Sequence, residues 1–372
     1  LNRGYAVTQF YAIGFSKDGH VIGGTQDNGT QLIDFSVPAS DLSAVEVRGG
    51  DGGYSEISYI NPDIMFAESQ YGSAGRSADG GSSFSGLETF LGDTMNGFSE
   101  TAEAEGQESL FGAFVNPFLL WESVNEQGQP LDTSLFFAST SGISILSSGQ
   151  PSSAYCIWMA KDVLDFSIVP RWYQISTTLP GQPQCMAVTN DGNSLFVAVN
   201  NKIYRIDNLN VDSLPSDYSH LDIDGAESIV TTSSSIEPSS GFGGTVTSIA
   251  TDPNNLDRIV VTVGNYTNQS EHVYESNNAL SASPDFSSIR GNLPYMPVYS
   301  AVIDVNNSNN ILIGTEFGVW SSSNGSNWTQ ENISYISKKN SEYYSKLNVK
   351  KINHSTNSKN QLINLGFISC DL

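Results

Sequence analysis

Two aspartates set in glycine- and amide-rich turns are the residues of this sequence best suited to chemistry. Asp27 stands in Thr25-Gln26-Asp27-Asn28-Gly29-Thr30, and Asp51 in Gly49-Gly50-Asp51-Gly52-Gly53-Tyr54. Two carboxylates flanking a glycosidic bond act as general acid and as base or nucleophile, and their separation fixes the stereochemical outcome. Asp27 and Asp51 are therefore the candidate catalytic pair. The plainer reading is that Asp-Asn-Gly and Gly-Asp-Gly-Gly are ordinary turns whose carboxylates bond neighbouring amides. Similar turns offer Glu68 and Tyr71 (Glu68-Ser69-Gln70-Tyr71-Gly72), Asn265 and Tyr266, Glu316 and Phe317, and Tyr295 between Pro294 and Pro297. With Gln26, Asn28 and Tyr54 they make a candidate ligand-binding set of carboxylates, amides and flat rings, the chemistry by which a protein grips a sugar.

Other chemistries lack their residues. His20, His220, His272 and His354 stand alone, without H-x-H or H-E-x-x-H spacing, and Cys156, Cys185 and Cys370 are too scattered for a zinc site, so no metal is expected. Cys156 and Cys185 fit either one disulfide or two buried thiols. Asp222-Ile223-Asp224-Gly225 opens like a calcium loop but has no downstream ligands. There is no Gly-x-Ser-x-Gly elbow, phosphate-binding loop or dinucleotide fingerprint, and no cofactor is expected. With 16 Lys+Arg against 39 Asp+Glu the formal charge is -23, which repels phosphate backbones and argues against nucleic acid as a partner. The longest apolar run, Phe111 to Trp121, contains Asn116 and Pro117 and falls well short of the roughly 20 residues that span a bilayer, so no membrane insertion is expected.

The elements that must position the candidate residues come from an internal repeat. One apolar segment and its turn recur six times, as Val21-Ile22-Gly23-Gly24-Thr25, Ile64-Met65-Phe66-Ala67-Glu68, Leu135-Phe136-Phe137-Ala138-Ser139, Leu195-Phe196-Val197-Ala198-Val199, Ile259-Val260-Val261-Thr262-Val263 and Ile311-Leu312-Ile313-Gly314-Thr315. Most copies follow a hairpin-closing turn such as Lys17-Asp18-Gly19, Asn61-Pro62-Asp63 or Asp252-Pro253-Asn254-Asn255. Each unit is thus an antiparallel meander. A four-stranded sheet apolar on both faces cannot satisfy itself, and radial stacking around an axis buries both faces at once. The expected fold is an all-β propeller of four-stranded antiparallel blades over residues 1–335, with six blades recognisable and a seventh left open. Tyr155 to Phe166 is the one tempting helical window, and it fits a strand pair equally well.

Two hairpins carry a family resemblance. Ser77-Ala78-Asp79-Gly80-Gly81-Ser82-Ser83-Phe84 matches the Asp-box pattern Ser-x-Asp-x-Gly-x-x-Trp/Phe through Ser77, Asp79, Gly81 and Phe84. Ser321-Ser322-Ser323-Asn324-Gly325-Ser326-Asn327-Trp328 matches through Ser321, Gly325 and Trp328, with Ser323 in place of the Asp. Tyr274-Glu275-Ser276-Asn277-Asn278-Ala279 begins like a third box and is then interrupted. The chain resembles the BNR (Asp-box) repeat propellers, which include sialidases, sortilin-type receptors and xyloglucan-cleaving tandem-propeller glycosidases. The resemblance implies a structural box on the outer hairpin. It also likens Thr25 to Gly29 to the Asp-bearing turn of the xyloglucan-cleaving enzymes. Sialidase activity would need an Arg cluster for a substrate carboxylate, and no Arg-Ile-Pro motif stands near the start; Arg76 and Arg205 fall within blade strands.

Long acidic or Ser/Gly-rich insertions fall at Glu88 to Glu108 and Thr231 to Gly244. Residues 336–372 hold six of the nine lysines with many Asn and Ser, and read as a separate tail. Leu1 opens directly onto strand-like sequence, so the chain reads as part of a longer polypeptide. The expectation for function is an extracellular or cell-surface propeller that binds a glycan or protein through an acidic, aromatic face. Its rivals are a glycoside hydrolase using Asp27 and Asp51, and a structural module of a larger surface protein.

Overall fold

The computed structural model describes residues 9–38, 43–87, 112–125, 128, 130–142, 152–168, 170, 172–209, 233–235, 241–266 and 271–331. The insertion at 88–108, half of that at 231–244, the loop at 222–225 and the tail at 336–372 lie outside the described residues.

Each repeat folds into one four-stranded antiparallel sheet, and the six sheets form a six-bladed β-propeller. Blade 1 contains β1 (Phe10–Phe15), β2 (His20–Thr25), β3 (Gly29–Asp34) and β4 (Ala44–Arg48). Blade 2 contains β5 (Ser55–Ile57), β6 (Met65–Ser69), β7 (Ser73–Ser77) and β8 (Ser85–Gly86). Blade 3 follows with β9 (Phe118–Val124), β10 (Pro130–Gly142), β11 (Ser152–Lys161) and β12 (Trp172–Gln174), and blade 4 with β13 (Pro183–Val188), β14 (Leu195–Val199), β15 (Lys202–Ile206) and β16 (Ser233–Ser235). Blade 5 is β17 (Thr245–Asp252), β18 (Asn255–Gly264), β19 (Val273–Ser276) and β20 (Ser287–Ser288); blade 6 is β21 (Val298–Ile303), β22 (Ile311–Thr315), β23 (Gly318–Ser322) and β24 (Thr329–Gln330). The six repeated apolar segments supply β2, β6, β10, β14, β18 and β22. The ambiguous window at 155–166 is strand for its first seven residues.

Second strands bury both faces because a blade stands between two others. Leu195 to Val199 is buried throughout, and within β18 Ile259 to Val263 is too. Five buried apolar clusters occupy the successive interfaces from blades 1 and 2 to blades 5 and 6; Phe66 and Phe137 both belong to the one between blades 2 and 3, for instance. None of the five joins blade 6 to blade 1. On blade 1 Ile13, Phe15, Val21 and Ile33 are only half-buried, as are Leu312 and Val319 on blade 6. Cys156 and Cys185 are buried thiols that form no disulfide, and burial pushes the Cys156 thiol up to about 12.

Two third-strand arginines tie their blade to the outer hairpin of the next. Arg76 on β7 donates to the carbonyls of Val163, Asp165 and Ile168 in blade 3, at 2.8, 3.1 and 3.0 Å, with its guanidinium 4.2 Å from the Phe166 ring centroid. Arg205 on β15 donates to Ala279 and Ser281 in blade 5, at 2.6 and 2.9 Å.

The hairpin at Ser77 is held by its own side chains. The Ser77 hydroxyl donates to Asp79 and accepts from the Gly81 amide, while Asp79 accepts from the amide and hydroxyl of Ser83. Those bonds draw the Asp79 carboxyl down to about 2, the Ser83 hydroxyl contributing most. In blade 6 the serine playing this part is Ser322, not Ser321. Ser322 bonds Asn324, and Asn324 accepts from the amides of Ser326 and Asn327 ahead of Trp328. The turn is one residue shorter, and its acceptor precedes Gly325, whose φ is 65°, as Asp79 precedes Gly80, whose φ is 67°. Ser321 instead donates to Glu331 at 2.5 Å. Blade 5 repeats the device across a longer loop, where Ser276 bonds Asn278 and the Asp285 amide donates to Asn278.

Candidate functional site

In an up-and-down blade, the turn between its second and third strands lies at the same end as the connection into the next blade's first strand. Asp27 in the β2–β3 turn and Asp51 in the β4–β5 connection therefore meet on one face of the ring. Asp27 has a φ of 62°, a left-handed conformation open to Asp and Asn but strained for most side chains. Its amide donates to Asp51 Oδ1 at 2.7 Å, which pins the turn. The Asp51 amide in turn donates to Gln70 Oε1 at 3.0 Å.

Glycines make this approach feasible. The Gly52 amide bonds the Thr25 carbonyl at 3.0 Å, the Gly29 amide bonds Gly50 at 3.0 Å, and the Gly53 amide bonds Glu68 on blade 2 at 3.1 Å. A Cβ on Gly52 would lie 2.5 Å from the Gly29 oxygen and 2.7 Å from the Gly24 Cα. The connection carrying Asp51 is thus laid backbone to backbone along the blade 1 turn.

The contacts continue in both directions. The Tyr11 hydroxyl on β1 donates to Gln26 Oε1 at 2.5 Å. Beyond Gln70, Tyr71 packs edge-on against Phe114 with centroids 5.4 Å apart, and its amide bonds the Phe114 carbonyl at 3.1 Å. Both rings stay over a third exposed, at 40% and 38%. A continuous strip of Tyr11, Gln26, Asp27, Asp51, Gln70, Tyr71 and Phe114 crosses blades 1 to 3. Asn28 lies beside it, exposed, with its side-chain amide donating to Gln26 O.

Two expected members are elsewhere. Tyr54 is 9% exposed, packed against Phe118 with its hydroxyl donating to the Gln184 carbonyl at 3.2 Å, so its ring is core and not a stacking platform. Glu68 is wholly buried. Its Oε1 accepts from the amides of Tyr54 and Asn116, at 3.1 and 2.7 Å, and Oε2 has no hydrogen-bond partner among the described residues. Burial pushes its carboxyl well above the usual range, against the pull of these amides and of Arg48. It braces the strip from beneath instead of facing solvent. Phe114, Gln70 and Tyr11 are members the sequence did not single out; Phe114 was hidden in an apolar run that reads as core.

A second patch forms on blades 5 and 6. The Tyr266 hydroxyl donates to Glu316 Oε2 at 3.1 Å and lies 3.5 Å from the Tyr299 hydroxyl, with Tyr266 73% and Phe317 58% exposed. Asn265 turns away to donate to the Gly243 carbonyl. Tyr295, in the β20–β21 connection, has the Arg290 guanidinium 4.2 Å from its ring centroid. Among the described residues no group of three or more His, Cys, Asp or Glu is arranged to hold a metal ion.

No family model matches the chain, and no curated protein matches its sequence. Solved structures do match in fold. A GH74 enzyme of Niastella koreensis superposes with a TM-score of 0.51 at 12% identity, over 86% of this chain and 46% of that one. An ancestral GH74 enzyme gives 0.52 at 11% identity, over 89% and 39%. The Cps50 (Swd1) β-propeller domain of Myceliophteria thermophila gives 0.50 at 10% identity, over 86% and 85%. The chain spans less than half the length of the two GH74 enzymes. At such identities the likeness is one of fold alone.

Proposed function

We propose that this propeller binds a neutral glycan along the strip from Tyr11 to Phe114, as an extracellular or cell-surface protein of the BNR (Asp-box) type. The observation that carries the reading is the strip itself. Three rings, two carboxylates and two side-chain amides lie in one unbroken run of contacts, and flat rings flanked by hydrogen-bonding groups suit a sugar's apolar faces and hydroxyl rim. The Tyr266 and Phe317 patch would serve as a second contact for a long chain. The charge of -23 favours neutral over anionic glycans.

The test is a glycan array probed with the full chain, followed by titration of the best polysaccharide with Tyr71→Ala and Phe114→Ala. Each ring contributes about 1.4 kcal/mol or more, so each variant should weaken binding by about tenfold. Absence of binding to any glycan, or unchanged affinity in both variants, would reject the reading.

A second reading is hydrolysis of a β-linked polysaccharide by Asp27 and Asp51, and the Asp27 to Asp51 hydrogen bond favours it by making the two neighbours. Its mark is turnover that Asp27→Asn abolishes while binding persists. The Asp51 carboxylate already serves the Asp27 amide, which supports the binding reading over this one.

A further inference from the structure

The interface between blades 2 and 3 holds three buried glutamates from three different strands. Glu56 on β5 is 7% exposed, Glu68 on β6 is 0% and Glu122 on β9 is 6%. A protein interior accepts a carboxylate charge only with compensation, and the described residues supply it here mainly as backbone amides and one hydroxyl. Glu56 faces Glu122 and the Leu120 backbone amide. Glu122 accepts from the Ser58 hydroxyl at 2.5 Å and the Tyr59 amide at 2.7 Å, with the Ile60 amide also close. Lys17 also acts on Glu122, but its Nζ donates to the Ile60 carbonyl at 3.0 Å and lies 5.8 Å from the Tyr59 ring centroid. Glu68 faces the Tyr54 and Asn116 amides and, more distantly, Arg48, which donates to the Ala67 and Ser73 carbonyls. Arg76 crosses the same interface farther out, and its bonds go to carbonyls.

We infer that the interface between blades 2 and 3 is a pH-sensitive joint, closed while Glu56, Glu68 and Glu122 are neutral and loosened as they ionise. Burial raises all three carboxyls above their usual value, and the charge of Glu122 raises that of Glu56 further. Between the ordinary carboxylate value and these raised ones, the opened joint is ionised and the closed joint is protonated. Opening therefore releases protons and becomes easier as pH rises, so stability is complete at acid pH and lost upward. The joint matters to the surface above it. Glu68 holds the amide of Tyr54, at the end of the connection bearing Asp51, and that of Asn116, two residues after Phe114. This deepens the proposed function by supplying its regulation, and its test needs no ligand, so the two fail separately.

The test is hydrogen exchange of the full chain, followed by mass spectrometry from about pH 5 to about pH 8 and corrected for the intrinsic rate. One carboxyl that must ionise on opening raises the opening constant by about tenfold per pH unit. Peptides covering 53–58 and 116–122 should show such a slope, and peptides covering 246–250 and 259–263 at the blade 4–5 interface should not. Glu56→Gln and Glu122→Gln should each flatten it. Equal slopes at the two interfaces would overturn the inference, and so would Gln variants that keep the wild-type slope; the comparison within the wild type stands even if a variant does not fold.

Discussion

Substituting alanine for the two glycines that bracket Asp51 should give opposite results. A Cβ on Gly52 would sit 2.5 Å from the Gly29 oxygen, 2.7 Å from the Gly24 Cα and 2.8 Å from the Gly29 carbonyl carbon, all backbone atoms that no rotamer change can clear. Non-bonded heavy atoms rest at about 3.5 Å, so the two backbones must part by roughly 1 Å. Bonds of 3.0 Å from Gly52 to Thr25 and from Gly29 to Gly50, and of 2.7 Å from Asp27 to Asp51, would stretch beyond useful length. Overpacking costs about 1–3 kcal/mol and each of the three lost bonds about 0.5–1.5 kcal/mol, which places Gly52→Ala at about 2.5–7.5 kcal/mol of destabilisation. Gly49, three residues earlier, would meet only the Glu46 Oε1 at 3.5 Å and has no left-handed φ. There alanine removes unfolded-chain entropy without strain, for a gain of up to about 1 kcal/mol. Thermal unfolding of both variants measures the contrast, with titration of the strip's ligand as the second readout. Equal Tm shifts, or Gly52→Ala binding like the wild type, would refute the idea that backbone contact between blade 1 and this connection builds the site.

Two further outcomes follow from the outer hairpins. Arg76→Ala strands three carbonyls of blade 3 and removes the ring contact with Phe166, so it should destabilise the chain by about 2–4 kcal/mol in denaturant titration; Arg76→Lys should recover only part, because one ammonium does not reproduce a planar fork. Asp79 has its carboxyl lowered from 3.8 to about 2 by the Ser83 and Ser77 bonds, so its stabilising effect is complete above about pH 4 and is lost as pH falls toward 2. An NMR titration should place the Asp79 midpoint near that lower value, and Ser83→Ala should move it upward.

The strand repeat was legible because it is a matter of burial. A second strand flanked by two other blades has to be apolar on both faces, and Leu195 to Val199 advertises that without knowledge of its partners. The outer hairpins were legible only where turn length matched. Counting back from Trp328 by the spacing that fits Phe84 lands on Ser321, yet the strand register sets Ser322 opposite Ile311 and makes it the capping residue. The misleading step was holding the spacing to the aromatic fixed and requiring an Asp, for the acceptor stands two residues after its serine in every one of these hairpins. Asn324 offers the same oxygen acceptor one position nearer the turn, and Asn278 does so across a longer loop.

The face was harder to read because a turn's sequence tells which residues are at an end of a blade and not which way they point. Asp27, Asp51 and Tyr71 lie at turn apices, where the chain reverses and side chains reach solvent. Tyr54 and Glu68 lie only three residues from Asp51 and Tyr71, where the same segments have already entered the sheet: the Gly53 amide bonds the Glu68 carbonyl and the Glu68 amide bonds the Tyr54 carbonyl, forming a short ladder that buries both side chains. Period-two alternation then decides each orientation, and its phase depends on where the ladder begins. Glu68 fills a place that a hydrophobic residue would fill at less electrostatic cost. It reaches the Tyr54 and Asn116 amides at once, which no alkyl side chain could do, so the connections bearing Asp51 and Phe114 are fixed by a group whose own charge is unwelcome. Glu68→Leu separates these effects: it should blunt the pH response of the joint while freeing both amides, and the strip should lose ligand affinity even where thermal stability holds.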